Sequence, residues 1–186
     1  MERYSQLRFS TLITLDGSLR SAVHQSSPLT DFDSVRSIIS QLRIFGGVTD
    51  AHQETIFRRM ELWILPVGEV VFQKGDEPLH IYIVKSGTID LQITENEVVI
   101  HKHQLHVGEC FGESSLLSMH KHTATATAAA DSEIMVLSRK ALLDLKHEDL
   151  ELFALLILNL ARELARRLYI TDQMLLDATA RRASAP

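Results

Sequence analysis

Glu113 and His122 stand nine positions apart in the stretch FGESSLLSMHKHT, and both are of types that hold a polar ligand out of water. Glu113 offers two acceptor oxygens. Ser114 and Ser115 follow it in a short helical turn, whose first amides have no partner inside a helix and are therefore well placed to receive an anion. Gly112 precedes the glutamate and lets the backbone turn tightly. At the far end His122 donates one N–H when neutral and a charge-assisted bond once protonated, Thr123 adds a hydroxyl, and Lys121 adds a flexible point charge. A phosphate site would ordinarily use arginine here, for its permanent charge and two-pronged donor geometry. An imidazole with a reference pKa of about 6.5 is mostly neutral near pH 7.

The chain has nine histidines, which raises the question of a metal. His101, His103 and His106 lie on and after a predicted strand, and His120 and His122 are two apart, spacings that some metal sites tolerate. There is no HExxH and no cysteine cluster, so no metal site is expected. A metal-dependent enzyme on a histidine-bearing roll, of the cupin kind, is the minor alternative, because a fold alone does not supply a site. No Ser-His-Asp or Cys-His spacing stands out, and there is no GxxxxGK phosphate loop.

The chemistry must be positioned by a chain of 186 residues, long enough for one well-buried domain with extensions. Its residues are 45% hydrophobic and 23% charged, with a net charge of -5, which is the composition of a globular protein without the basic stripe of a general nucleic-acid surface. A single cysteine, Cys110, rules out an internal disulfide and suits a reducing cytoplasm. The amino terminus lacks the sections of a signal peptide. The longest apolar run, residues 152–158, is far short of the roughly 20 residues of a membrane span, so no membrane partner is expected.

Residues 1–30 are read as an amino-terminal extension, with Asp16-Gly17 as a hairpin signal. Residues 31–147 form the body. Phe32, Val35, Ile38, Ile39 and Leu42 recur at helical spacing, and Thr49 or Asp50 caps a second helix over HQETIFRRMELW before Pro66. The runs EVVF, HIYIV, TIDLQI, EVVIHKH and EIMVLS then alternate like strands, punctuated by glycines, which predicts a small antiparallel roll. Ser138 and Arg139 open a short helix, RKALLDL. Residues 148–186 carry a long helix with Leu156, Leu160, Leu164, Leu168 and Leu175 near one stripe. Its first half packs on the body, and its second half is predicted to form a parallel two-helix homodimer contact.

The stretch PVGEVVFQKGDEPLHIYIVKSGTIDLQI, with VGECFGESSLL and ATATAAADSEIMVLSRKALLDL, resembles a cyclic-nucleotide-binding domain of the type found in bacterial catabolite activator proteins and kinase regulatory subunits. The matching residues include Gly68-Glu69, Gly75-Asp76, Tyr82, Gly87, Gly108 and Phe111-Gly112-Glu113. The resemblance covers about residues 40 to 170. It implies a mainly β fold, an eight-stranded jelly-roll-like β-roll with amino-terminal helices and a long carboxy-terminal hinge helix. It also implies that Glu113 accepts from a ribose 2′-hydroxyl and that His122 stands at the position of the phosphate-pairing arginine. Arg166, with Arg162 and Arg167, would lie where the hinge helix passes over a purine.

The resulting expectation is a non-enzymatic regulatory sensor that needs no cofactor. It would bind cyclic AMP, cyclic GMP or a cyclic dinucleotide through Gly112, Glu113, Ser114, Ser115, His122 and Thr123, with Lys121 and Arg166 as possible further contacts, and signal to a partner protein. The alternative is a pseudo-receptor scaffold with an empty pocket. Catabolite-activator proteins continue into a helix-turn-helix of roughly 60 to 70 further residues; the chain stops at ARRASAP, so direct DNA control is not expected.

Overall fold

The structure is a computed structural model that describes residues 25–95 and 98–183. The predicted hairpin around Asp16-Gly17 lies outside the described residues. The strands are β1 (Gln25–Pro28), β2 (Met60–Leu65), β3 (Val70–Phe72), β4 (His80–Ser86), β5 (Ile89–Glu95), β6 (Val98–Leu105), β7 (Cys110–Phe111), β8 (Thr125–Ala128) and β9 (Ser132–Ser138). Helices α1 (Phe32–Gln41) and α2 (Asp50–Phe57) come early, α3 (Glu113–Ser118) interrupts the roll, and α4 (Arg139–Glu148) and α5 (Leu150–Ala183) end it. The strands form one sheet in the order β1-β2-β9-β4-β7 and another in the order β3-β8-β5-β6.

The five-stranded sheet is buried on both faces, and alternation along its strands shows how. Ile81 and Ile83 of β4, with Met135 and Leu137 of β9, join Val35, Ile39, Leu145, Leu152, Leu156 and Leu160 in the core beneath the helices. Their neighbours Tyr82, Val84, Ile134 and Val136 face the other way, into the roll, against Phe72, Ile89, Leu105, Phe111 and Ala126. The mainly β fold with flanking helices is the one expected.

Helix starts follow local chemistry. The Thr49 hydroxyl accepts from the His52 amide at 3.3 Å, and the Ser138 hydroxyl accepts from the Ala141 amide at 3.1 Å, each satisfying a first-turn donor. The second helix is shorter than its sequence suggested. It ends at Phe57, and MELW belongs to β2, where Met60, Glu61, Leu62 and Trp63 pair with Leu137, Val136, Met135 and Ile134 of β9. Ladder bonding and burial against β9 override the helix-forming character of Met, Glu and Leu. Strand β1 adds an edge to the same sheet, pairing antiparallel with β2.

Helix α5 is 34 residues long, roughly 50 Å at 1.5 Å per residue. Leu152, Leu156 and Leu160 are buried, whereas Leu168, Tyr169, Met174, Leu175 and Leu176 are each more than 60% exposed. The first half packs on the body and the second half runs past it. No helix among the described residues is long and apolar enough to cross a membrane.

Candidate functional site

The site begins where β7 meets α3. Gly112 has φ of 82°, and a Cβ there would lie 2.8 Å from the Tyr82 ring and 2.9 Å from the His80 carbonyl oxygen. Glycine is thus required twice, for its left-handed backbone and for the close approach of Tyr82. The turn drives Glu113 inward, leaving it 1% exposed. Ser114 is exposed and Ser115 half-buried in the first turn of α3. The α3 helix closes on Met119, which is itself left-handed with φ of 59°.

Glu113 is held from a distance in sequence. Arg167 of α5 donates from Nη1 to Glu113 Oε1 at 2.7 Å and from Nη2 to the Cys110 carbonyl at 2.7 Å. Its Nε donates to Glu163 Oε1 at 3.2 Å. Burial pushes the Glu113 carboxyl above its ordinary value, and the Arg167 charge opposes that shift. Burial also pushes the Cys110 thiol up, helped by the neighbouring Glu113 charge. The remaining carboxylate oxygen, Glu113 Oε2, is buried without a hydrogen-bond partner.

His122 is likewise buried, 3% exposed. Its backbone is fixed by two bonds to the β3–β4 turn: the His122 amide donates to the Asp76 carbonyl at 2.9 Å, and the Gly75 amide donates to the His122 carbonyl at 2.8 Å. Its ring lies face to face on Phe72, with centroids 3.7 Å apart and planes 10° apart. Phe72, Tyr82 and Phe111 continue this aromatic layer, with Trp63 and His80 beside Tyr82. Burial pulls the imidazole below its ordinary pKa, while the Asp76 charge pulls the other way. Burial also raises the Tyr82 phenol, keeping it neutral. His122 Nε2, like Glu113 Oε2, is buried without a partner.

The other candidate residues fall around these two. Thr123 is exposed next to His122, and Lys121 is exposed with its ammonium 3.5 Å from Glu77. Arg166 grips Glu163 with two bonds, at 3.0 Å and 2.5 Å, and these bonds hold the Glu163 carboxyl below its ordinary value despite burial. The histidines do not gather: among the described residues no group of three or more His, Cys, Asp or Glu could hold a metal ion. The sequence reading missed the Arg167–Glu113 pair and the Phe72–His122 stack, both set by tertiary approach.

The β-roll, with a short helical turn before β8 and a long helix at its end, thus buries an acid, Glu113, and an imidazole, His122. Residues 63–149 match the family profile described as "Cyclic nucleotide-binding domain". The chain is 31% identical over 134 residues to a cyclic AMP receptor protein of Thermus thermophilus, covering 69% of this chain and 58% of that one. The crystal structure of the Thermus thermophilus catabolite activator protein superposes with a TM-score of 0.64 at 30% identity, over 74% of this chain and 63% of that one. A cyclic nucleotide-binding domain from Methylobacillus flagellatus shares the fold, with a TM-score of 0.70 at 20% identity over 84% of this chain and 88% of that one. The chain therefore spans a little over half the length of the Thermus receptor.

Proposed function

We propose that the domain is a regulatory sensor that binds a cyclic nucleotide between Glu113 and His122 and performs no chemistry of its own. One observation carries this reading. Three side-chain polar atoms among the described residues are buried without a partner, and two of them are Glu113 Oε2 and His122 Nε2. Buried polar groups are normally satisfied, and each exception needs a reason. A ribose hydroxyl donates to a carboxylate oxygen, and a cyclic phosphate accepts from a ring N–H, so one ligand serves both atoms. Ser114, Ser115 and Thr123 supply further donors, and Gly112 keeps the turn open for them. Lys121 and Arg166 lie at the margins, already engaged by Glu77 and Glu163.

The exposed half of α5 carries Leu168 and Leu175, one heptad apart, with Tyr169 and Leu176 in parallel register. That spacing suits a parallel coiled-coil contact with a second copy. In this reading the domain works as a homodimer in the cytoplasm, and α5 passes the state of the pocket to a partner protein.

A second reading rests on a different observation. Arg167 already holds Glu113 Oε1, and Phe72 already covers the face of His122. These intramolecular contacts suit a pseudo-receptor whose roll serves as a scaffold. Thermal unfolding with millimolar cyclic AMP, cyclic GMP or a cyclic dinucleotide separates the two. A ligand-dependent rise in Tm that disappears in Glu113→Ala supports the sensor, and no shift with any of the three supports the scaffold.

A further inference from the structure

Beside Arg167 lies a cleft of about 220 Å³, between the 3-10 turn Arg43–Phe45, the start of β7 and α5. Arg43, Arg166 and Arg167 line it together with the carboxylates of Glu109 and Glu163, and Leu42, Ile44, Gly108 and Cys110 complete the walls. Neither Glu113 nor His122 is among its walls, so it is a different cavity, although it shares Arg167 with the Glu113 pair. We infer that this cleft is a second binding site, for a small organic oxyanion: a carboxylate or phosphate head on a short apolar body.

The walls are fixed apart by two clamps. Asn159 Nδ2 donates to the Ile44 carbonyl at 3.1 Å and to the Gly46 carbonyl at 2.8 Å, tying the 3-10 turn to α5. Arg167 ties β7 to the same helix through the Cys110 carbonyl. The space between is therefore part of the rigid frame.

Its charge is unevenly spent. The oxygens of Glu163, a residue 8% exposed, accept from Arg166 and Arg167. Arg167 uses Nε, Nη1 and Nη2 on protein acceptors. Arg166 commits Nε and Nη2 to Glu163, which leaves the donors of Nη1. Arg43 stands 3.9 Å from Glu163, beyond hydrogen-bond range, with its side chain 66% exposed. The second acid, Glu109, accepts from the His106 amide at 2.8 Å, and its charge also acts on Arg166. Against these two acids Arg43, Arg166 and Arg167 leave one guanidinium in excess, in a cleft that also has the apolar side chains of Leu42 and Ile44. A planar guanidinium matches carboxylate and phosphate alike. The volume lies below the roughly 300–1,000 Å³ of sites for drug-sized ligands, which limits the body to a few carbons.

The test uses butyrate, butyl phosphate and the neutral butyramide in amide NMR titrations of the full chain. The expected result is saturable shifts at Ile44, Gly108, Cys110 and Arg166 with at least one of the two anions, none with butyramide, and binding weakened roughly fivefold or more in Arg43→Gln. The stronger of the two anions identifies the head group. Absence of saturation with both anions, equal shifts with butyramide, or unchanged affinity in Arg43→Gln overturns the proposal. Arg43→Gln keeps the test clean, since the side chain is mostly exposed, and its unfolding curve checks that the variant folds. Cyclic nucleotide is absent throughout, so this site and the Glu113–His122 reading stand or fall separately.

Discussion

Arg167 and Glu113, 54 residues apart, meet at 2.7 Å, and the same guanidinium donates to the carbonyl of Cys110. One side chain on α5 thereby fixes both the buried carboxylate of the site and the strand before it.

This pair is a stability element as well as a site element. Glu113 is 1% exposed and the Arg167 side chain 33%, so Arg167→Met leaves a buried acid without its counter-charge. The expected loss is about 2 kcal/mol, below the roughly 3–5 kcal/mol of a fully buried pair because Arg167 is partly solvated and Glu113 can take a proton. Urea unfolding of Arg167→Met, Glu113→Gln and the double variant should show coupling, the double losing less than the sum. Simple additivity would mean that the contact carries no energy.

Acid should destabilise the fold through His122. Burial lowers its pKa in the folded state, so the stability it contributes is complete above the unfolded value of about 6.5 and is lost as pH falls through that value toward the folded one. The slope contributed is at most about 1.4 kcal/mol per pH unit. Glu113 acts with the opposite sign: burial raises its pKa, so its contribution is lost as pH rises. Comparing wild type with His122→Gln at each pH isolates the histidine. A variant whose stability falls as steeply between pH 7 and 5 would contradict the assignment.

Gly112→Ala should cost about 2–4 kcal/mol, because it adds a Cβ at positive φ and at 2.8 Å from the Tyr82 ring. Thermal unfolding checks this, and a loss under about 0.5 kcal/mol would show that the turn tolerates a side chain.

The exposed stripe of α5 predicts an oligomer. Leu168 and Leu175 are 62% and 63% exposed, so replacing both with lysine disturbs little packing within the described chain. Sedimentation should find wild type as a dimer and the double variant as a monomer, with the β-roll intact by circular dichroism. A wild-type monomer at high micromolar concentration would contradict the coiled-coil reading.

Much of the fold was legible because period and punctuation agree. EVVF, HIYIV, TIDLQI, EVVIHKH and EIMVLS all overlap strands, and Thr49 and Ser138 cap the helices that follow them. MELW was not legible as a strand: Met, Glu and Leu favour helices, and pairing with β9 on one side and β1 on the other decides otherwise. Within the site, Glu113 and His122 could be singled out by type and spacing, but their partners could not. Phe72 and His122 are 50 residues apart, and their stack depends on the antiparallel pairing of β3 with β8. Arg167 carried a partial signal, since Glu163, Arg166 and Arg167 have the three- and four-residue spacing of helix ion pairs. Its reach to Glu113 is a property of how α5 lies on β7.

Isothermal titration of the protein with cyclic AMP and cyclic GMP at pH 7, in two buffers of different ionisation enthalpy, tests the central claim most directly. The account predicts saturable binding accompanied by uptake of up to about one proton, as the phosphate raises the pKa of His122. It also predicts tighter binding in His122→Arg, with no proton uptake. An absence of heat at millimolar ligand for wild type and His122→Arg alike would contradict it.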